Sequence, residues 1–404
     1  MKLKLCLYLS ILFFSSLSQA SNLGGRIEIQ LINKDSLSSY QQKGTGLLRA
    51  ENSGLQLQQS FIYGNFRLNK DWTFDTVANI FADGEKSLGI TQAAFIYKPL
   101  SPNIIKFKAR AGFFYPKMSV ENSSKGWLSP YTYTQSAINT WIGEELRILG
   151  AEVALYSSGR KRQSPWSWDV YSGIFKGNDT TGALLTWRGF ATHDRQSLHN
   201  DIIQFAPIPS VENLVPYIPT PTYTKPFQEI DGKLGGYIGA HLKYFRTSEF
   251  RYYYYDNDAD PLIVNNDRLY AWRTKFHSLA YIHNINQKWR ILAQYMKGST
   301  LMGANAVAGD YVAWYAMFRY QKDKHSLSAR VDDYYLKETD AKPYDPNDNN
   351  GTAYTLTYKY LFNEDYEFGI EWHQHNSDVE NRELLGQTKK KQQTQYMLVF
   401  ALNF

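Results

Sequence analysis

Between Ile104 and Pro116 the chain reads IIKFKARAGFFYP, and polar and apolar residues alternate strictly through its first half. Lys106, Lys108 and Arg110 take every second position, with Ile105, Phe107, Ala109, Ala111 and Phe113 between and after them. Such alternation marks a strand with one apolar and one polar face. A single strand of this kind suits many folds, but its recurrence along the whole chain excludes most of them. Strands rising from one end are expected near 26–32, 72–82, 104–114, 166–176, 249–256, 288–298, 325–337 and 366–377. Returning strands are expected near 55–68, 88–98, 145–156, 233–246, 269–282, 310–321, 352–362 and 393–404. The links alternate in length: NKD (69–71), PLSPN (99–103) and NED (363–365) are short, whereas 33–53, 115–144, 177–232 and 338–351 are longer. An even strand number, with short turns on one side and long loops on the other, is the pattern of a transmembrane β-barrel. The expected fold is therefore all-β, a closed antiparallel barrel of 16 strands, or 18 if ALLTWRGFATHD (183–194) forms a hairpin arm. Sixteen strands enclose a width that leaves an aqueous channel.

The ends agree. MKLKLCLYLSILFFSSLSQA has a basic start, a short apolar run and a small-x-small end, so 1–20 is expected to be a secretory signal peptide and 21–404 the barrel. The only cysteine, Cys6, lies in that leader. At the other end Tyr396, Leu398, Phe400, Leu402 and Phe404 alternate up to the final residue. Tyr396, Phe400 and Phe404 resemble the C-terminal assembly signal of Gram-negative outer-membrane barrels, which implies that location, with the lipid bilayer and lipopolysaccharide as surroundings. A mean hydropathy of −0.46 excludes a helical membrane protein but suits a barrel, in which alternate residues face lipid. The 31 tyrosines fit aromatic girdles at both interfaces.

In a barrel the apolar face of 104–114 meets lipid, so Lys106, Lys108 and Arg110 are expected to line the lumen, since a lipid-facing charge costs about 2–4 kcal/mol at the midplane. The same rule sends Arg273, Lys275 and His277, Lys288 and Arg290, and the acidic Glu371 inward. Cations outnumber carboxylates in this reading, and a passage lined by one sign of charge enriches the opposite ion. A modest anion preference follows.

After the cation ladder, Gly112, Phe114, Pro116 and Glu121 stand in the order G-x-F-x-P-x-x-x-E. This resembles the strand-to-loop transition of the phosphate- and polyphosphate-selective porin group. The resemblance implies a 16-stranded homotrimer whose next loop, here about 115–144, folds into the barrel and narrows it. Lys117, Glu121, Lys125, Trp127, Tyr131, Tyr133 and Trp141 are the constriction residues it implies. The dense basic cluster of that group's selective members is missing: the loop offers only Lys117 and Lys125, beside Glu121, Glu144 and Glu145. The aromatic residues are read as packing the loop against the wall. Six prolines between 207 and 226 exclude a central strand, so 177–232 reads as a long external loop.

Little else carries chemistry. Glu371, His373 and His375 share a strand face without further ligands at suggestive spacing, and DPNDNNG (345–351) lacks the glycine and glutamate of a calcium loop, so no metal or cofactor is expected. No serine or histidine stands out with an oriented base, so no enzyme is expected. The basic SSGRKRQSP (157–165) falls at a turn and is not read as a nucleic-acid site. The expected function is a porin for passive diffusion of small hydrophilic solutes or ions. The alternatives are a channel that binds a specific solute, such as a saccharide, and a surface barrel acting in attachment.

Overall fold

The computed structural model describes residues 21–35, 37–212, 221–340 and 344–404; the expected leader lies outside them. Sixteen strands form one closed antiparallel barrel. In chain order they are β1 (Ser21–Lys34), β2 (Gly54–Arg67), β3 (Trp72–Ile80), β4 (Leu88–Tyr97), β5 (Lys106–Phe114), β6 (Ile148–Ser157), β7 (Trp166–Lys176), β8 (Gly235–Tyr244), β9 (Ser248–Asp256), β10 (Trp272–Asn284), β11 (Trp289–Met302), β12 (Val307–Lys322), β13 (His325–Glu338), β14 (Asn349–Leu361), β15 (Tyr366–Val379) and β16 (Lys390–Asn403). Each matches one expected run. Two helices, α1 (Ala137–Glu145) and α2 (Ala183–Trp187), sit in long loops. Because α2 takes up 183–187 and 188–194 form no strand, no hairpin arm forms there and the count stays at sixteen.

Closure joins β1 to β16, with Ile29 opposite Phe400. The final residue completes the seam: Gly25 N donates to Phe404 O (2.8 Å) and Phe404 N donates to Gly25 O (3.1 Å). Outside, Ile29, Leu31, Leu155, Ile174, Leu279, Leu356, Ile370, Leu398 and Phe400 are exposed. At the short-turn end, ring pairs Trp72–Tyr97, Trp166–Tyr244 and Trp289–Tyr320 stand 4.9, 4.8 and 4.3 Å apart between centroids. An apolar belt edged by aromatic residues is a lipid-facing surface.

On β5, Phe107 and Ala111 are exposed to the outside, while Lys106, Lys108 and Arg110 lie on the inner face. β10 reverses the expected register. Trp272, Thr274 and Phe276 are buried inside, and Arg273, Lys275 and His277 face outward. The interior here is apolar: Phe276 packs on Trp141 of α1 and Tyr255 of β9. These outward cations lie at the long-loop end of the strand, towards the rim of the apolar belt, where an outward charge costs only about 0–1 kcal/mol. Lys288 is not on an inner face either; it is exposed in the turn before β11.

Candidate functional site: the lumen and its basic mouth

The chain enters the lumen directly after β5. Gly112 has φ +136°, and a Cβ there would overlap the Ala93 carbonyl, so the turn inward requires glycine. The segment 115–147 then crosses the barrel. Ser136 caps α1 by accepting from Asn139 N (3.3 Å), and Ile138, Trp141 and Ile142 follow at helical spacing. Trp141 is fully buried, with Phe190, Phe276 and Tyr311 around it at 6.0, 5.7 and 5.2 Å. Trp127 stacks on Tyr115 at 3.9 Å, and Tyr131 and Tyr133 are also buried. Trp127, Tyr131, Tyr133 and Trp141, the four aromatic residues expected at the constriction, all pack, as does Tyr115.

Charge pins the loop to the far wall. Arg330 of β13 holds Glu121 at 2.6 Å and Asp332 at 2.7 Å, all three side chains having no exposure. It also donates to the carbonyls of Thr134 (2.7 Å) and Gln135 (3.0 Å). Glu371 of β15 accepts from Tyr133 N (2.6 Å), Thr134 N (2.8 Å) and the Thr357 hydroxyl (2.6 Å). Tyr133 lies so close to Gly369 that a Cβ there would overlap its hydroxyl. On the opposite wall Lys125 reaches Asp75 at 3.7 Å, and Gly126 abuts Phe61.

The 177–232 segment is not wholly external. Residues from Asn178 to Leu198 are mostly buried in the long-loop end of the barrel, stacked on the first loop. Thr192 Oγ1 sits between His373 Nε2 (2.8 Å) and His375 Nδ1 (2.7 Å). The two histidines are thus a docking face for a loop. Glu144 pairs with Arg188 (2.7 Å) and His193 (3.0 Å); burial opposes its charge, but these partners outweigh burial and hold the carboxyl at about 2. Its neighbour Glu145 forms no ion pair among the described residues. It accepts from Trp141 Nε1 (2.6 Å), Gly182 N (3.0 Å) and Leu184 N (3.1 Å), and burial pushes it up to about 7 despite those donors.

The cross-section at the level of α1 is filled. Wall side chains facing inward, among them Asn79, Tyr311, Tyr315, Thr357 and His373, are at most 1% exposed. Between loop and wall, beside Gln30, Gln58, Gln395 and Asp194, a crevice of ≈ 10 Å³ leaves room for about one water. The sixteen strands could enclose an open channel, but protein occupies it.

Below this layer, towards the short turns, the lumen widens and its wall is basic. Arg110 is bound by Glu152 (2.7 Å) and Lys108 by Asp169 (3.2 Å), so two of the three ladder cations are neutralised. Lys106 and Lys117 form no ion pair among the described residues. Arg290 and Arg319 are directly opposed on β11 and β12. Arg290 donates to Tyr131 Oη (2.9 Å) and Arg319 lies over the Tyr131 ring at 5.6 Å. Neither has a carboxylate partner among the described residues, although opposed like charges on a sheet repel. Arg319 and Arg330 were missed in the sequence reading. Both lie between outward apolar residues (Phe318 and Tyr320, Ala329 and Val331), so the alternation itself could have found them.

No protein-family model matches the chain, and no curated protein matches it. Solved structures share the fold. OmpT, an outer membrane protein of Vibrio cholerae in a trimer form, aligns at TM-score 0.54 and 10% identity over 95% of this chain and 99% of its own. The anion-selective porin from Comamonas acidovorans gives the same TM-score, identity and coverage. The outer membrane channel DcaP of Acinetobacter baumannii gives 0.52 and 11%, over 95% and 97%. The chain is similar to these proteins in fold: a 16-stranded, porin-like transmembrane barrel.

Proposed function

We propose that this protein is an outer-membrane channel for small hydrophilic solutes and ions, assembled as a homotrimer, with a preference for anions at its periplasmic mouth. The likeness to porins supports the channel, and the anion-selective neighbour accords with the preference. The opposed Arg290–Arg319 pair carries the reading. Two cations on one wall, without a carboxylate and beside open lumen, are relieved by a passing anion. The affinity for phosphate that the loop motif implies has less support, because Arg110 and Lys108 are already paired. In the described conformation the two infolded loops, stacked on each other, bury the wall side chains at the level of α1, so conduction requires that stack to leave the wall.

Reversal potentials across planar bilayers in a potassium chloride gradient test this. Wild type should favour chloride, and Arg290→Glu with Arg319→Glu should reverse the sign in a barrel that still shows heat-modifiable mobility. An unchanged reversal potential would remove the pair from the selectivity mechanism. A second reading, a surface barrel whose loops are the active part, is favoured by the filled cross-section; absence of conductance at any voltage would select it.

A further inference from the structure

The crevice of ≈ 10 Å³ between loops and wall is lined by Gln58 of β2, Gln395 of β16 and Asp194 of the second infolded loop, with Arg49 and His193 beside them. A bulge aims Gln58. The β1–β2 ladder slips between Ile27 and Ile29, so Gln58 and Gln59 stand against the single Glu28, and both side chains are buried. Gln59 Nε2 then donates to the Asp194 carbonyl and fixes the loop at this point.

Gln58 Oε1, Gln395 Oε1 and Asp194 Oδ2 are buried and have no hydrogen-bond partner among the described residues. The other atom of each group is committed. Gln58 Nε2 donates to Gln56 Oε1 (3.0 Å), so turning the amide over would set two oxygens together. Gln395 Nε2 donates to Met397 Sδ (2.8 Å), and turning it would set oxygen against sulfur. Asp194 Oδ1 accepts from Arg49 (2.9 Å).

The surrounding charge is also unbalanced. Asp194, Arg49, Asp83, Arg195 and Asp201 form a chain of alternating sign, with contacts of 2.9, 2.8, 3.3 and 2.8 Å. Carboxylates stand at both ends, so one negative charge is in excess. At the far end Arg195 reaches both oxygens of Asp201 (3.1 and 2.8 Å), which leaves the unmatched oxygen at the crevice. His193 adds no charge, because its Nδ1 accepts from Arg195 N (3.2 Å) and carries no proton.

We propose that the crevice binds one sodium ion between Gln58 Oε1, Gln395 Oε1 and Asp194 Oδ2, and that this ion ties the second infolded loop to the seam of the barrel. A water molecule has two protons for three acceptors and brings no charge. A divalent ion overshoots the single excess charge. A small monovalent cation, with about the bulk of one water, matches both the oxygens and the charge. Two ligands belong to the wall and one to the loop, so the ion binds the docked state and favours it by a factor of 1 + [Na+]/Kd. The site rests on the docked geometry and not on conduction.

Amide hydrogen exchange of 190–197, followed by mass spectrometry on the purified protein, tests it. Sodium chloride is replaced stepwise by choline chloride at constant ionic strength. Exchange in this segment should slow about tenfold once sodium reaches about ten times its Kd, while β6 and β7 stay unchanged. Gln395→Leu removes one ligand, leaves the ion-pair chain intact and should abolish the dependence; should it loosen the seam, Gln58→Leu carries the same comparison. Gln395→Lys brings an ammonium to the crevice and should give slow exchange without sodium. Equal exchange of the wild type in sodium and choline overturns the proposal, since the crevice then holds water only. A sodium effect that persists in both leucine variants also overturns it, because the ion then sits elsewhere. Sodium-slowed exchange in a barrel without conductance supports the site and fails only the channel reading.

Discussion

Replacing Arg330 with leucine should open the lumen. Arg330 is the buried link between the wall and 115–147: it pairs with Glu121 at 2.6 Å and Asp332 at 2.7 Å and holds two loop carbonyls. Leucine leaves both carboxylates buried without a cation. Breaking a buried pair from one side costs roughly 3–5 kcal/mol, most of it the penalty of the orphaned charge. The barrel itself keeps its backbone ladder, so the cost falls on loop docking. At tenfold per about 1.4 kcal/mol, the ratio of docked to released loop drops by roughly two to three orders of magnitude. Single-channel recording should then show long open intervals that are rare in wild type. The triple variant Glu121→Gln, Arg330→Leu, Asp332→Asn removes the orphaned charges as well, and should restore much of the closed state. A heat-modifiable Arg330→Leu barrel with wild-type conductance would refute the reasoning, because the loop would then not govern passage.

Docking should also depend on pH through Glu145, whose folded value of about 7 lies above the ordinary 4.5. The docked state favours the neutral carboxyl, so its stabilisation, at most about 3 kcal/mol, is complete below pH ~4.5 and lost as pH rises through ~7. Conductance should increase from pH 5 to pH 8 in wild type and stay level in Glu145→Gln; a wild-type profile without slope would contradict this. Gly369→Val should push Tyr133 off the wall and raise open probability, without the pH effect of Glu145→Gln. Deleting Phe404 removes both hydrogen bonds to Gly25 and should reduce heat-modifiable barrel in membranes several-fold; full assembly of the truncated chain would show that the seam closes without them.

Much of the fold was legible because a barrel repeats one local rule. Alternation located all sixteen strands, and the loop lengths identified the end from which chain enters the lumen. The same alternation misled on β10, where Arg273, Lys275 and His277 were sent inward on the assumption that no charge faces out. That assumption holds only towards the middle of the apolar band, and the cations of β10 lie towards its rim. The interior was harder to read. Pattern shows that Lys108 and Arg110 share a face, but not that Asp169 and Glu152 on other strands neutralise them. Nor does any local signal tell that the loop residue Glu121 meets Arg330 across the barrel.

The plug has a consequence for biogenesis. Glu121 and Arg330 are 209 residues apart, and Tyr133 meets Glu371 238 residues further on. The loop emerges early, whereas its docking face lies on strands made near the end of synthesis. Until β10 to β13 curl round, Trp141 lacks Phe276 and Tyr311 and Glu121 lacks Arg330, and α1 waits in the periplasm without its docking face. Such non-local contacts form late, after the loop-closure entropy has been met. The helix therefore acts as a check on completeness: a barrel that stalls or mispairs in its last quarter keeps its plug exposed. Periplasmic chaperones and proteases can then distinguish it from a finished one by the accessibility of 137–145.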